Sequence, residues 1–240
     1  MPTLELKNLK KTYHGRRVVD SVSITVNSAD VVGLLGPNGA GKTTTFYMAV
    51  GMIKADGGNV FINHEDITDF PMYQRARKGI GYLPQEISIF KKLTVIENVM
   101  AILEILPIPE SERELRATTL LEELGIRHLS DSCASVLSGG ERRRLEITRV
   151  LATKPSFILL DEPFAGIDPL AIIDIQKIIR QLTKRGIGIL ISDHNVRETL
   201  GVCDKAFILN NGKVIESGNP EKIASSKTAR EIYLGEEFKL

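Results

Sequence analysis

The sequence predicts an α/β protein: a mainly parallel sheet with crossover helices, an antiparallel β portion on its N-terminal side, and an inserted helical stretch. Three observations lead there. The apolar run Val31-Val32-Gly33-Leu34-Leu35 meets Gly36-Pro37-Asn38-Gly39-Ala40-Gly41-Lys42-Thr43-Thr44 and then a helix-compatible stretch from Gly41 to Met52. A second apolar run, Phe157 to Leu160, ends in Asp161-Glu162. Strand-like and helix-like segments alternate on both sides of a long stretch with helical periodicity, and strands joined by helices form parallel sheets.

Taken in order, Thr3 to Lys7 and Val22 to Val26 alternate apolar and polar residues, as half-exposed antiparallel strands do. Lys11 to Arg17, with Tyr13, reads as the turn between them. After the helix that follows Gly41, Asp56-Gly57-Gly58 marks a turn before a strand at Asn59 to Ile62. Pro71 to Arg77 reads as a short helix, and Ile80 to Leu83 as a short strand closed by Pro84. The next two segments with helical periodicity are Thr94 to Leu106 and Glu110 to Leu124, separated by Pro107 and Pro109. Ser138-Gly139-Gly140 opens a helix from Glu141 to Thr153. Roughly residues 86–154 thus form a helical insertion in a core made of 1–85 and 155–240, all within one domain. Beyond Pro155, the strand Phe157 to Leu160 is followed by a helix, Ala171 to Lys184, apolar at 172, 175, 178, 179 and 182 and stopped by Gly186. A strand at Gly188 to Ser192 and a short helix at Asn195 to Val202 come next. Asn210-Asn211-Gly212 turns a hairpin between Lys205–Leu209 and Lys213–Glu216. Pro220 to Leu240 reads as one or two short helices and a loose end.

Bulk properties exclude several classes. The net charge of +1 supplies no basic field, so no nucleic-acid partner is expected. Two cysteines, Cys133 and Cys203, make neither a disulfide framework nor a metal site. No apolar run approaches the ~20 residues of a membrane helix, and the first residues show no signal-peptide core.

The chemistry-bearing residues fall in three groups. Gly36 to Thr44 fits G-x-x-x-x-G-K-[ST], a phosphate-binding loop between a strand and a helix. Its glycines at 36, 39 and 41 let the backbone curl tightly and point several N–H groups inward, and the helix dipole adds positive potential. Lys42 supplies charge for the β- and γ-phosphates, and Thr43 a hydroxyl for Mg²⁺. Asp161 and Glu162 emerge at a strand's C-terminal end, where such folds bind ligands. There Asp161 is expected to hold Mg²⁺ and Glu162 to deprotonate the attacking water. Since adjacent strand side chains point opposite ways, the strand must bend for both to serve one site. Leu137-Ser138-Gly139-Gly140-Glu141 opens a helix as a second anion site without a lysine of its own. Arg142-Arg143-Arg144 reads as a solvated helix face.

A phosphate loop, then Gln85, Leu-Ser-Gly-Gly-Glu, a strand ending Asp-Glu, and His194, in that order, resembles the ABC-type ATPases over nearly the whole chain. The resemblance implies a P-loop NTPase fold with a RecA-like core, an N-terminal antiparallel β subdomain and a helical subdomain bearing the Ser138 segment. It implies a head-to-tail homodimer sandwiching two ATP molecules with Mg²⁺, each held by the phosphate loop of one chain and Ser138, Gly139, Gly140 and Glu141 of the other. It matches Tyr13 to the aromatic that stacks on adenine, with Val18 near the ribose. Gln85 matches the glutamine that touches Mg²⁺ and water. His194 matches the histidine at the γ-phosphate, and Ala165 to Asp168 the loop coupling the two sites.

Within that family, Pro71 to Arg77, Gly79 to Glu86, Ser88 to Phe90, Asp193 to Thr199 and Tyr233 to Leu240 resemble the branch that powers bacterial lipopolysaccharide export. Branched-chain amino-acid importer ATPases share part of the first stretch and remain the alternative, with soluble non-transport ABC ATPases behind them. The implied setting is cytoplasmic, peripheral on the inner membrane. Two integral-membrane subunits are expected to dock near Gln85 to Leu93, in a groove lined by Ile87, Ile89, Phe90 and Leu93.

Overall fold

The computed structural model describes residues 1–238 and 240. In chain order the elements are β1 (Thr3–Tyr13), β2 (Arg16–Asn27), β3 (Val31–Leu35), α1 (Lys42–Val50), β4 (Gly57–Ile62), β5 (Glu65–Asp66), α2 (Met72–Arg77) and β6 (Ile80–Leu83). There follow α3 (Val95–Leu103), α4 (Glu110–Glu123), α5 (Gly139–Leu151), β7 (Phe157–Asp161), α6 (Pro169–Lys184), β8 (Gly188–Ser192), α7 (Val196–Leu200), β9 (Lys205–Asn210), β10 (Lys213–Gly218) and α8 (Pro220–Ser225).

Alternation builds the first sheet. β1 and β2 bury Leu4, Leu6, Leu9, Val22, Ile24 and Val26 on one face and leave most intervening residues exposed. The sheet is antiparallel, in the order β2-β1-β4-β5. Its strands run further than their apolar patterns suggest. Lys11 to Tyr13 belong to β1 and Arg16-Arg17 to β2, so only His14-Gly15, both at positive φ, make the reversal. β5, two residues long, is too short to show a period.

The second sheet has the order β10-β9-β3-β8-β7-β6. β9 through β6 are parallel, and only the edge strand β10 is antiparallel. Every residue of β3, β7 and β8 is buried, because both faces are covered. Phe157 and Leu159 of β7 join a cluster with Leu4, Ile24 and α1's Phe46, while Ile158 and Leu160 join one with Leu145 of α5 and Ile179 of α6. Successive residues of one strand thereby tie the antiparallel sheet to one side and the helices α3 to α6 to the other.

Caps move the helix starts. Ser138 and Glu141 form a reciprocal capping box, so α5 begins at Gly139 rather than Glu141. Asp168 accepts from the Ala171 amide and Pro169 fills the first turn, so α6 begins two residues early. Thr94 and Glu97 cap α3 in the same reciprocal way. The segment after α8 is not loose. A short helix, Lys227–Ala229, runs into one π-helical turn at Arg230–Leu234. The Arg230 guanidinium then clasps the carbonyls of Ala224, Glu236 and Phe238. Lys239, part of the stretch that resembles the export branch, lies outside the described residues.

Candidate active site

Four neighbouring parallel strands, β3, β8, β7 and β6, deliver the predicted residues to one edge. β3 runs into the phosphate loop, β8 into Asp193-His194, β7 into Asp161-Glu162 and β6 into Pro84-Gln85. The carboxyl ends of parallel strands thus gather residues more than a hundred positions apart.

Close backbone contact shapes the loop. Gly36 has φ 144°, and a Cβ there would lie 2.1 Å from the Leu209 carbonyl oxygen. Gly41 caps α1 at φ 103°, and a Cβ there would lie 2.6 Å from the Val18 carbonyl oxygen. Neither position tolerates a side chain. Val18 therefore does abut the phosphate loop. The β9–β10 turn does too, since the Gly212 amide donates to Ala40 O at 3.0 Å. Lys42, nearly buried, donates from Nζ to Gly36 O at 2.6 Å and Pro37 O at 3.1 Å. Burial lowers its pKa, while the charges of Glu162, Asp161 and Asp193 pull it back up. Thr43 is exposed on the first turn of α1. Thr44 is half-buried beside it.

The bend that the Asp161-Glu162 pair needs is present. Glu162 has φ 46°, the left-handed region, and its amide donates to Ser192 O at 2.6 Å across β8. Glu162 Oε2 accepts from Gln85 Nε2 at 2.7 Å and lies 3.3 Å from His194 Nδ1. The three predicted catalytic side chains therefore meet. Asp161 is 4 % exposed, and burial, then the charge of Glu162, pushes its pKa up to about 6. Tyr82 reaches its Oδ2 only at 3.5 Å. Among the described residues no three His, Cys, Asp or Glu side chains form a metal cage. A donor set of one carboxylate, one hydroxyl and one amide fits an ion that arrives on nucleotide phosphates.

Asp193 is a residue that sequence reasoning passed over. Fully buried, it accepts from the amides of Phe164 (2.9 Å) and Asn195 (2.8 Å), and its Oδ1 lies 3.6 Å from His194 Nδ1. It fastens the loops after β7 and β8 to each other. Its place directly after an apolar strand was the available signal.

The cavity lined by the Ser138 segment includes no residue of the phosphate loop. Ser138 Oγ donates to Glu141 Oε2 at 2.7 Å, and the hydrogen bonds from Ser138 lower the Glu141 pKa. Ser138, Gly139, Gly140 and Glu141 line a cavity of about 380 Å³. Gly139 also borders a smaller one, of about 210 Å³, with Gln85 and Glu162. Tyr13 is 39 % exposed, with the Lys11 ammonium 5.5 Å from its ring centroid.

Two expectations change. Arg142 to Arg144 is not a solvated face. Arg143 is 7 % exposed and donates to Pro84 O and Glu146 Oε2, both at 3.1 Å, while Arg144 pairs with Asp174 at 2.7 Å. Arg143 thereby ties α5 to the Gln85 segment. The groove also differs, because Ile89 is 7 % exposed and belongs to the core. Ile87 and Phe90 remain exposed, and Gln85 borders a cavity of about 520 Å³ whose apolar wall includes Met52, Met72 and Ile102.

The family described as ABC transporter matches residues 19–165. The chain belongs to the ABC transporter family. This cassette is 57 % identical, over 241 residues and 100 % of both chains, to the lipopolysaccharide export system ATP-binding protein LptB of Escherichia coli (strain K12). It is also 57 % identical, over 242 residues and again 100 % of both chains, to the protein of that name in Haemophilus influenzae. A crystal structure of an ATP-binding cassette of an ABC transporter in its ADP conformation superposes with a TM-score of 0.89 at 34 % identity, covering 98 % of this chain and 100 % of that one. The cassette fold, with its antiparallel β portion, is the one the sequence resemblance implied.

Proposed function

We propose that this chain is the ATP-hydrolysing subunit of a transporter that extracts lipopolysaccharide from the bacterial inner membrane. The meeting of Gln85, Glu162 and His194 beside the Lys42 loop carries the hydrolytic reading. The cargo rests on full-length identity to relatives named for lipopolysaccharide export.

The phosphate loop binds the β- and γ-phosphates through its amides, the α1 dipole and Lys42. Glu162, already accepting from Gln85, takes the proton of the attacking water, and Gln85 holds that water in line. His194, held beside Glu162 and Asp193, donates to the γ-phosphate. Thr43, Asp161 and Gln85 would hold Mg²⁺, which offsets charge on the phosphate oxygens. Tyr13 stacks on adenine, and Val18 borders the ribose.

Ser138, Gly139, Gly140 and Glu141 carry no cation and lie off the phosphate loop, so they act on a nucleotide bound by a second copy. The subunit is a head-to-tail homodimer whose symmetry makes two identical ATP sites. A solved cassette of the same fold is a dimer bound to ADP and phosphate. Residues 86–154 act as the helical subdomain and the rest as the core. Two integral-membrane subunits dock on Ile87, Phe90 and the Met52–Met72 cavity, which keeps this chain peripheral on the cytoplasmic face. No helix among the described residues is long and apolar enough to cross a membrane.

The test is co-purification of the tagged chain from detergent-solubilised membranes, followed by ATPase assay of the complex with and without lipopolysaccharide. Association with integral-membrane subunits and a lipopolysaccharide-dependent rate support the reading. A chain that hydrolyses ATP but associates with an amino-acid importer overturns the cargo and leaves the enzyme.

A further inference from the structure

The segment 226–238 folds back onto the ends of β3 and β9, beside the start of the phosphate loop. Tyr233, Leu234 and Phe238 pack on a small buried cluster of Leu35, Leu200, Ala206, Ile208, Ile223 and Ala229. Leu35 is the last residue of β3, immediately before Gly36. The clasp of Arg230 on three carbonyls, with Gly235 at φ 86° returning its amide to Arg230 O at 2.9 Å, fixes where Tyr233 enters.

The Tyr233 ring is explained by that packing; its hydroxyl is not. The oxygen is buried and has no aligned hydrogen-bond partner. An apolar cluster gains nothing from a phenol over a phenyl, and an unpaired buried polar group calls for a specific reason. Its packing on Leu35 sets the ring beside Gly36, and the Gly36 amide, then the charges of Asp193 and Glu162, act on the hydroxyl. Burial is the first cause of its raised pKa, so it stays a neutral phenol, able both to donate and to accept.

We propose that Tyr233 is a positioning residue for hydrolysis: its hydroxyl, carried beside the start of the loop by the Arg230-clasped strap, joins the Gly36 amide to the Asp193 turn once phosphate is bound. The bond forms as the loop tightens, so the strap sets the distance between the Lys42 cradle and His194. Tyr233 touches no substrate and acts through these two backbone segments. The inference rests on the ATPase reading.

Tyr233→Phe removes one oxygen and keeps the packing. In the full chain it should lower kcat about three- to ten-fold, the scale of one net hydrogen bond made only on the way to the transition state. KM for ATP should stay unchanged and the melting temperature should not fall. Arg230→Lys, which frees the strap but leaves the hydroxyl, should lower kcat in the same direction. A Tyr233→Phe enzyme with parental kcat overturns the inference, as does a loss confined to KM or to the melting temperature. Absence of ATPase activity in the parent chain would instead refute the reading beneath it.

Discussion

Asp161→Asn should make this protein more stable while ending its ATP turnover. Asp161 is 4 % exposed, and its carboxyl is held at about 6 against an ordinary 3.8. Burial is the largest cause and the neighbouring Glu162 charge the next, with the Asp193 charge adding to them. The Tyr82 hydroxyl and the Arg143 charge act the other way. Between those two pH values the folded chain binds more protons than the unfolded one, so this residue's contribution is present below pH 3.8 and lost as pH rises to about 6. At 1.36 kcal/mol per unit, the full penalty above pH 6 is about 3 kcal/mol. Asparagine keeps the shape and removes the penalty. It also removes one of three acidic neighbours of Lys42, so the net gain is about 1–3 kcal/mol. For a chain of this size that raises the melting temperature by roughly 3–10 °C. Melts of both proteins without nucleotide, at pH 8 and at pH 4, check it. The variant should lead at pH 8 and the gap should close at pH 4. A variant less stable at pH 8, or a gap independent of pH, refutes the reasoning.

Two further outcomes follow from the same geometry. Glu162→Gln, which keeps a side chain for Gln85 to contact but no base, should lower turnover by roughly 10² or more while ATP binding persists; single-turnover assay with labelled ATP measures both. Phe90→Ala removes an exposed ring that the Arg149 guanidinium covers at 4.4 Å. It should spare ATP hydrolysis by the isolated subunit and weaken recovery of the membrane complex, and unchanged recovery counts against that groove.

Much of this was legible because the signals were local. A run of five buried residues, as in β3 and β8, needs no partner to be recognised, and a phosphate loop between strand and helix declares its own context. What the chain order hides is lateral neighbourhood. β8 lies between β3 and β7, which is why His194 lies between Asp193 and Glu162, yet no short-range pattern states that order. Arg143 shows the same limit from another side. Three consecutive arginines look solvated, but successive residues on a helix point in different directions, and the middle one turns inward to Pro84 and Glu146. Ile89 failed as a groove residue because an apolar stretch does not say which of its members the core takes. Helix starts were missed by two residues where a cap, at Ser138 and Asp168, nucleated the turn before the apolar period began.

The account stands on nucleotide joining two copies. A structure of the Glu162→Gln protein with ATP and Mg²⁺ tests it most directly. It should show each triphosphate between Lys42 of one protomer and Ser138 of the partner subunit. A dimer in which those two residues lie far apart across every interface contradicts it.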